Sequence, residues 1–187
     1  VNKGLLNLSN FEAFYKNTPI KVKATLNMIK DPSIVLDVDV AEANISDFSF
    51  GGRTYNMKDG KFSSKIILNS KASSEESFVN NLNGSIDFKA SDTKLSGVNI
   101  KGIYKDIVKR EKSEGLVEFA NTQIVSGSTA FENVAGKINI TEGEFKITEG
   151  SLSAENINVT AKGGGNIKNW TMDVSFEIKH DEPRYLQ

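Results

Sequence analysis

The chain has 187 residues, a formal net charge of -1 and a sequence pI of about 6.0, so it offers no basic footprint for nucleic acid. It has no cysteine and one histidine, which excludes disulfide scaffolds, thiolate catalysis, the usual structural zinc sites and any triad or metal site built on several imidazoles. No run approaches the roughly 20 apolar residues of a spanning helix and Val1 opens no signal pattern, so the sequence reads as a segment whose leader or anchor would lie upstream.

Gly4 to Tyr15 carries Leu5, Leu6, Leu8, Phe11, Phe14 and Tyr15 and reads as a short strand followed by a turn. From Pro19 the pattern sharpens: Ile20, Val22, Ala24, Leu26 and Met28 alternate with Lys21, Lys23, Thr25 and Asn27, a strand of about 30 Å. Asp31-Pro32 turns the chain into a strand with Leu36, Val38 and Val40 opposite Asp37 and Asp39. Ile45, Phe48 and Phe50 follow before Gly51-Gly52 interrupts. Gly60 to Lys71 repeats the alternation with Phe62, Ile66 and Leu68.

The period then changes. Ser73 to Glu76 form a capping box ahead of Phe78, Val79 and Leu82, which are spaced for a short helix ended by Asn83-Gly84. Ile86, Phe88 and Ala90 predict another strand, and Leu95 and Gly97 lead into a second helix, Val98 to about Lys112. Its apolar face is Ile100, Ile103, Tyr104, Ile107 and Val108, and lysines fill the remainder. Two roles stay open for it: lying on an anionic membrane surface, or capping the open end of the sheet, which is the plainer because helices of globular domains are equally amphipathic. A polar linker from Lys109 to Gly115 precedes a strand over Leu116 to Val125.

Val134 to Lys179 is the most regular stretch. Apolar residues fall on alternate positions within each strand: Ile138 and Ile140, Phe145 and Ile147, Ile157 and Val159, then Trp170, Met172, Val174, Phe176 and Ile178. Turns are expected at Glu142-Gly143, Glu149-Gly150 and Gly163 to Gly165. The product is an antiparallel meander with one apolar and one polar face, and the apolar face must be covered by a second sheet, by helices or by lipid.

Candidate chemistry is sparse, and no enzyme is expected. Asp37 and Asp39 share a strand face and could reach a hard cation, but calcium recruits 6–8 oxygens from a shaped loop, so two solvated carboxylates are expected and no metal. His180 lies in the polar tail HDEPRYLQ and reads as solvated. Gly163-Gly164-Gly165 lacks the Lys-Ser/Thr of a phosphate loop and reads as a bulge or tight return. No cofactor is called for.

The order of elements, and the block Thr129-Ala130-Phe131-Glu132-Asn133-Val134-Ala135-Gly136 leading into a hairpin at Gly143, resembles the C-terminal region of the AsmA-like family. That family shows roughly Thr-x-Phe-x-x-Leu-x-Gly, a strand, a Gly turn and a strand with a Gly-rich return. Thr129, Phe131, Gly136 and Gly143 match, with Val134 for the usual Leu. Leu95-Ser96-Gly97-Val98-Asn99-Ile100 is similar to the family's Leu-x-Gly-x-Asp-Leu entry to a helix, with Asn99 where Asp is common. The resemblance covers roughly residues 15 to 180. It implies a segment of a Gram-negative envelope protein, tethered to the inner membrane by an N-terminal helix outside this segment and projecting into the periplasm. It also implies a β groove that guides phospholipid in support of outer-membrane biogenesis, with other envelope proteins as partners.

The sequence thus predicts a mainly β, α+β domain over residues 1–187: a long, twisted, curved, mostly antiparallel sheet forming a groove. Both helices fall in residues 1–112 and the C-terminal meander in 113–187. Two short helices cannot cover roughly eight strands, and leaving a few hundred Å² of apolar surface wet would cost several kcal/mol at about 25 cal/mol per Å². Acyl chains, or the rest of a longer protein, are therefore expected against Ile138, Ile140, Ile157, Val159, Met172, Val174, Phe176 and Ile178. The alternative is a non-catalytic scaffold or adhesin-like sandwich in which these residues are simply core.

Overall fold

The computed structural model describes residues 4–29, 31–48, 56–71, 73–109 and 127–181, with 106–109 described by backbone alone. The expected strand Leu116–Val125, the Phe50 and Gly51-Gly52 break, the polar linker and helix end beyond Lys109, and the tail past Asp181 lie outside the described residues.

The strands are β1 Leu5–Tyr15, β2 Thr18–Asn27, β3 Ser33–Asn44, β4 Asn56–Lys58, β5 Lys61–Lys71, β6 Asn83–Ser96, β7 Ser128–Thr141, β8 Glu144–Ala154, β9 Ile157–Asn166 and β10 Thr171–His180. A 3-10 turn spans Ile45–Asp47, and the helices are α1 Glu75–Asn80 and α2 Ile100–Lys109. The described strands form one ten-stranded sheet, open and curled, in the order β1-β2-β3-β5-β6-β7-β8-β9-β10, every neighbour antiparallel. The expected architecture, a mainly antiparallel sheet with two short helices, is the one observed. β4 and β5 hold a single register on β6 to either side of Asp59-Gly60, an extension that the alternation from Gly60 alone did not suggest.

Register shifts between Leu8 and Phe11, Val40 and Ala43, Lys137 and Ile138, and Ile147 and Ser151 are β-bulges, each of which bends its strand and raises the local twist. Two turns expected from the sequence are corrected. Glu149-Gly150 is not a turn, because β8 runs through it to Ala154 and the chain reverses at Glu155-Asn156. Gly163 to Gly165 is not a return either: all three lie inside β9, and the reversal falls at Ile167 to Trp170. A Cβ at Gly163 would strike the backbone of Asp173, and one at Gly165 the Thr171 carbonyl and the Phe145 ring, so the glycines answer to close neighbouring strands.

The helices close opposite ends of the apolar face. At one end, the N-cap of α1 is Ser74, whose hydroxyl accepts from the Ser77 N–H at 3.1 Å while Ser77 Oγ accepts from the Ser74 N–H at 2.8 Å. The capping box is therefore Ser74/Ser77 and not Ser73/Glu76. The helix stops at Asn80, and Asn83-Gly84 opens β6 instead of ending the helix. Ser70 Oγ donates to the Phe78 carbonyl at 2.6 Å, and the Gly143 N–H donates to the Leu82 carbonyl at 2.9 Å, fixing α1 to β5 and to the β7–β8 turn.

At the other end, Asn99 caps α2, its Oδ1 accepting from the Gly102 N–H at 2.9 Å. Asn substitutes well for Asp here because either side chain offers the required acceptor oxygen. Thr129 Oγ1 accepts from the Ile100 N–H at 3.0 Å and donates to the Val98 carbonyl at 2.8 Å, anchoring the helix start to β7. Beneath lies the main core, where Ile45, Ile100, Phe131, Val134, Ile157 and Val159 pack with Met57, Phe88, Leu95 and Leu152.

Candidate functional site

In an antiparallel pair, residues directly opposite each other project from the same face, so the strand register defines each face across the sheet. One row runs Phe11, Val22, Val38, Ile66, Ile86, Ile138, Ile147, Gly163, Val174, from β1 to β10 without a polar side chain. A parallel row runs Leu8, Ala24, Leu36, Leu68, Gly84, Ile140, Phe145, Gly165, Met172. A third holds Ala13, Ile20, Val40, Phe88, Ala161 and Phe176, with Ser64, Gly136 and Gly150 between them.

These rows make one apolar strip across the open, curled sheet between the two helical ends, the floor of the expected groove. Val22, Val38, Ile66, Ile86, Ile138, Ile147 and Val174 all keep part of their surface open, although they occupy the face where a sealed domain would have its centre. Exposure rises at the margins: Leu6 is 38%, Phe11 50%, Met172 74%, Phe176 63% and Ile178 38% exposed, all on this face and on edge strands β1 and β10.

The expected face residues therefore divide. All eight project from the apolar face. Ile157 and Val159 are sealed in the core at the α2 end, and Ile140 is 6% exposed, so these three are structural and not open to a ligand. Ile138 and Val174 line the open floor, and Met172, Phe176 and Ile178 form its lip. Trp170, expected on the same face, instead sits in the β9–β10 turn at φ 51° and 90% exposure. The N-terminal half of the floor, Val22, Val38, Ile66 and Ile86, was missed because alternation within a strand does not say which strands share a face with which.

The expected apolar face of α2 packs toward the sheet. Ile100 is buried in the core, and Ile103 and Tyr104 are half-buried; the side chain of Ile107 lies outside the described residues. His180 is not a solvated tail residue. β10 extends far enough to pair it with Ile157, and its ring stacks on Tyr104 with centroids 4.4 Å apart and planes 7° from parallel.

The opposite face is polar and ordered by charge. Glu12, Lys21, Asp39, Lys65, Asp87, Lys137 and Glu149 stand directly opposite one another in seven successive strands, alternating in sign throughout. Lys65 hydrogen-bonds Asp37 and lies 3.8 Å from Asp39, and Lys137 lies 3.8 Å from Asp87. Asp37 and Asp39 thus turn to an ammonium, and among the described residues no cluster of acidic or imidazole groups could hold a metal ion. The bond to Asp37 holds the Lys65 amine above its ordinary value, with burial opposing it and the charges of Asp37 and Asp39 adding to it. A raised lysine contributes stability below its unfolded pKa, lost only as pH climbs through the folded one, so this pair is insensitive to pH near neutrality.

Reversing that charge is the informative change. Lys65→Glu is expected to lower stability to urea by about 1–2 kcal/mol, and the loss should shrink at high salt because all the charges involved are solvent-accessible. A salt-independent loss would mean that Lys65 acts through packing instead.

A wide concavity of about 1350 Å³ lies over the glycines of β9, rimmed by Asn139, Lys146, Lys162 and Asp173. Those four belong to the polar face by register or strand alternation, and Phe145, Ile147 and Met172 of the apolar rows line the concavity as well.

The block that carried the sequence resemblance proves structural. Thr129 anchors α2, Phe131 is 2% exposed, Gly136 lies under the Phe88 ring, and Gly143 meets α1. Compared with known proteins, the chain matches the model of one family, described as the AsmA family, over residues 1–149, a stretch that ends within β8. No curated protein and no solved structure matches it.

Proposed function

The chain belongs to the AsmA family, and on that footing we propose that it is a lipid-binding element of the cell envelope, its trough receiving acyl chains during phospholipid transport and outer-membrane biogenesis. The observation that carries this reading is the part-exposed middle of the apolar face among the described residues. Floor residues from Val22 on β2 to Val174 on β10 stay part-exposed while core packing is concentrated under α2. Exposed apolar area of this extent on one face is costly in water, and extended apolar surfaces of folded proteins mark sites that are covered in use. An acyl chain suits the shape, because the rows run across the strands as a continuous strip whose one polar side chain, Ser64, is already bonded to the Asp87 carbonyl.

In this reading the protein binds and performs no covalent chemistry. It works on the periplasmic side of the inner membrane, tethered through a helix outside this segment, with neighbouring envelope proteins or the remainder of a longer chain as partners. Native mass spectrometry after detergent-free purification tests the proposal. Phospholipid-sized adducts, stripped by delipidation and regained on incubation with phosphatidylethanolamine vesicles, are the expected result. A chain that emerges without adducts and takes up none would exclude it and leave the scaffold reading.

A further inference from the structure

Among the described residues β10 is an edge strand of a different character from β1. It pairs with β9 in unbroken register over ten residues, from Thr171 opposite Asn166 to His180 opposite Ile157, with neither bulge nor proline. β1 is interrupted by the shift between Leu8 and Phe11, the kind of irregularity that blunts an edge against pairing. We propose that a second copy of this chain pairs with β10, antiparallel, about a two-fold axis through Phe176, so that the apolar face continues from one protomer into the next.

Backbone geometry limits the choices. Along an edge strand, alternate residues turn their N–H and C=O outward, and in an antiparallel pair outward residues must face outward residues. For a strand meeting its own copy, opposed residues must therefore differ by an even number of positions, which also keeps apolar side chains opposite apolar ones. Among these registers, centring on Ser175 or on Phe176 gives the longest overlap, and the two are equal. The Phe176 register sets Val174 opposite Ile178, Phe176 opposite itself and Met172 opposite His180 on the apolar face.

On the polar face the same register brings Asp173 opposite Lys179. Lys179 already lies 3.3 Å from Glu177 of its own strand, leaving its exposed ammonium between two carboxylates. Moving the centre to Ser175 would oppose Asp173 to Glu177, and moving it to Glu177 would oppose that carboxylate to itself. Like charges directly opposite are destabilising, so between the two longest registers the charges select Phe176. The pairing would cover Phe176 and Met172, 63% and 74% exposed in the single chain. It stands whether or not the trough holds lipid.

Sedimentation equilibrium over a concentration series should show the mass of one chain rising to that of two. Asp173→Lys should weaken association about tenfold, since two symmetric pairs become repulsive. Adding Lys179→Asp to that variant should restore it. The chain has no cysteine, so single replacements report cleanly. Under mild oxidation Phe176→Cys should give a disulfide-linked dimer, because a cross-strand pair at the two-fold lies within disulfide reach, and Ile178→Cys should not. A monomer at every concentration, an Asp173→Lys variant that associates as before, or cross-linking through position 178 in preference to 176 would each overturn the proposal.

Discussion

Gly136→Val is expected to cost roughly 3 kcal/mol or more of stability, enough to unfold a marginal domain. Gly136 is buried on β7, opposite Phe88 on β6 and Gly150 on β8, and a Cβ there would occupy the space of the Phe88 ring. The ring has little freedom to give way, because it packs against the cluster of Ile45, Phe131 and Val134. Moving β7 instead would strain its hydrogen bonds on both sides. Phe88→Ala removes the obstacle at its own cost, so the double variant should lose less than the two single losses added, a coupling that urea titrations can measure. A Gly136→Val chain with an unchanged midpoint would show that the ring is not what requires glycine there.

Ile138→Asp should leave the fold in place and reduce uptake of a fluorescent acyl probe by about tenfold or more, whereas Ile157→Asp should unfold the chain. Both residues are apolar, both project from the same face, and they differ in cover. Ile157 is 2% exposed inside the core, where an unpaired carboxylate would lose its hydration with nothing in return. Ile138 lies on the open floor between Ile86 and Ile147, so its replacement keeps water while the trough is empty. An acyl chain laid over it would have to strip that water, a penalty above the 1.4 kcal/mol that a tenfold change requires. Far-UV circular dichroism and probe titration on both variants decide the matter. Should Ile138→Asp unfold as Ile157→Asp does, the face is an ordinary core and the scaffold reading prevails.

The sequence reading erred most over glycine and over the ends of elements. Gly150 and Gly163 to Gly165 carry the local signature of a turn, yet in the structure they sit in continuous strands where another backbone or a ring approaches too closely for a side chain. Nothing within a few residues of Gly163 reveals that Asp173 will be its neighbour. His180 looked solvated for the same reason, since its partner Tyr104 lies on a helix 76 positions earlier in the chain.

Which residues of each strand are apolar together is a local matter: the side-chain period of two assigned Ile138 and Ile140, or Met172 to Ile178, to one face before any neighbour was known, and helical spacing did the same for α2. Which of those residues are core and which are open floor depends on distant cover. Ile157 and Ile138 are indistinguishable by pattern, and only the seating of α2 and Ile45 at one end of the sheet separates them. The alternating ladder from Glu12 to Glu149 likewise exists only once seven strands align, because charge pairing and burial are properties of pairs of segments and periodicity is a property of one.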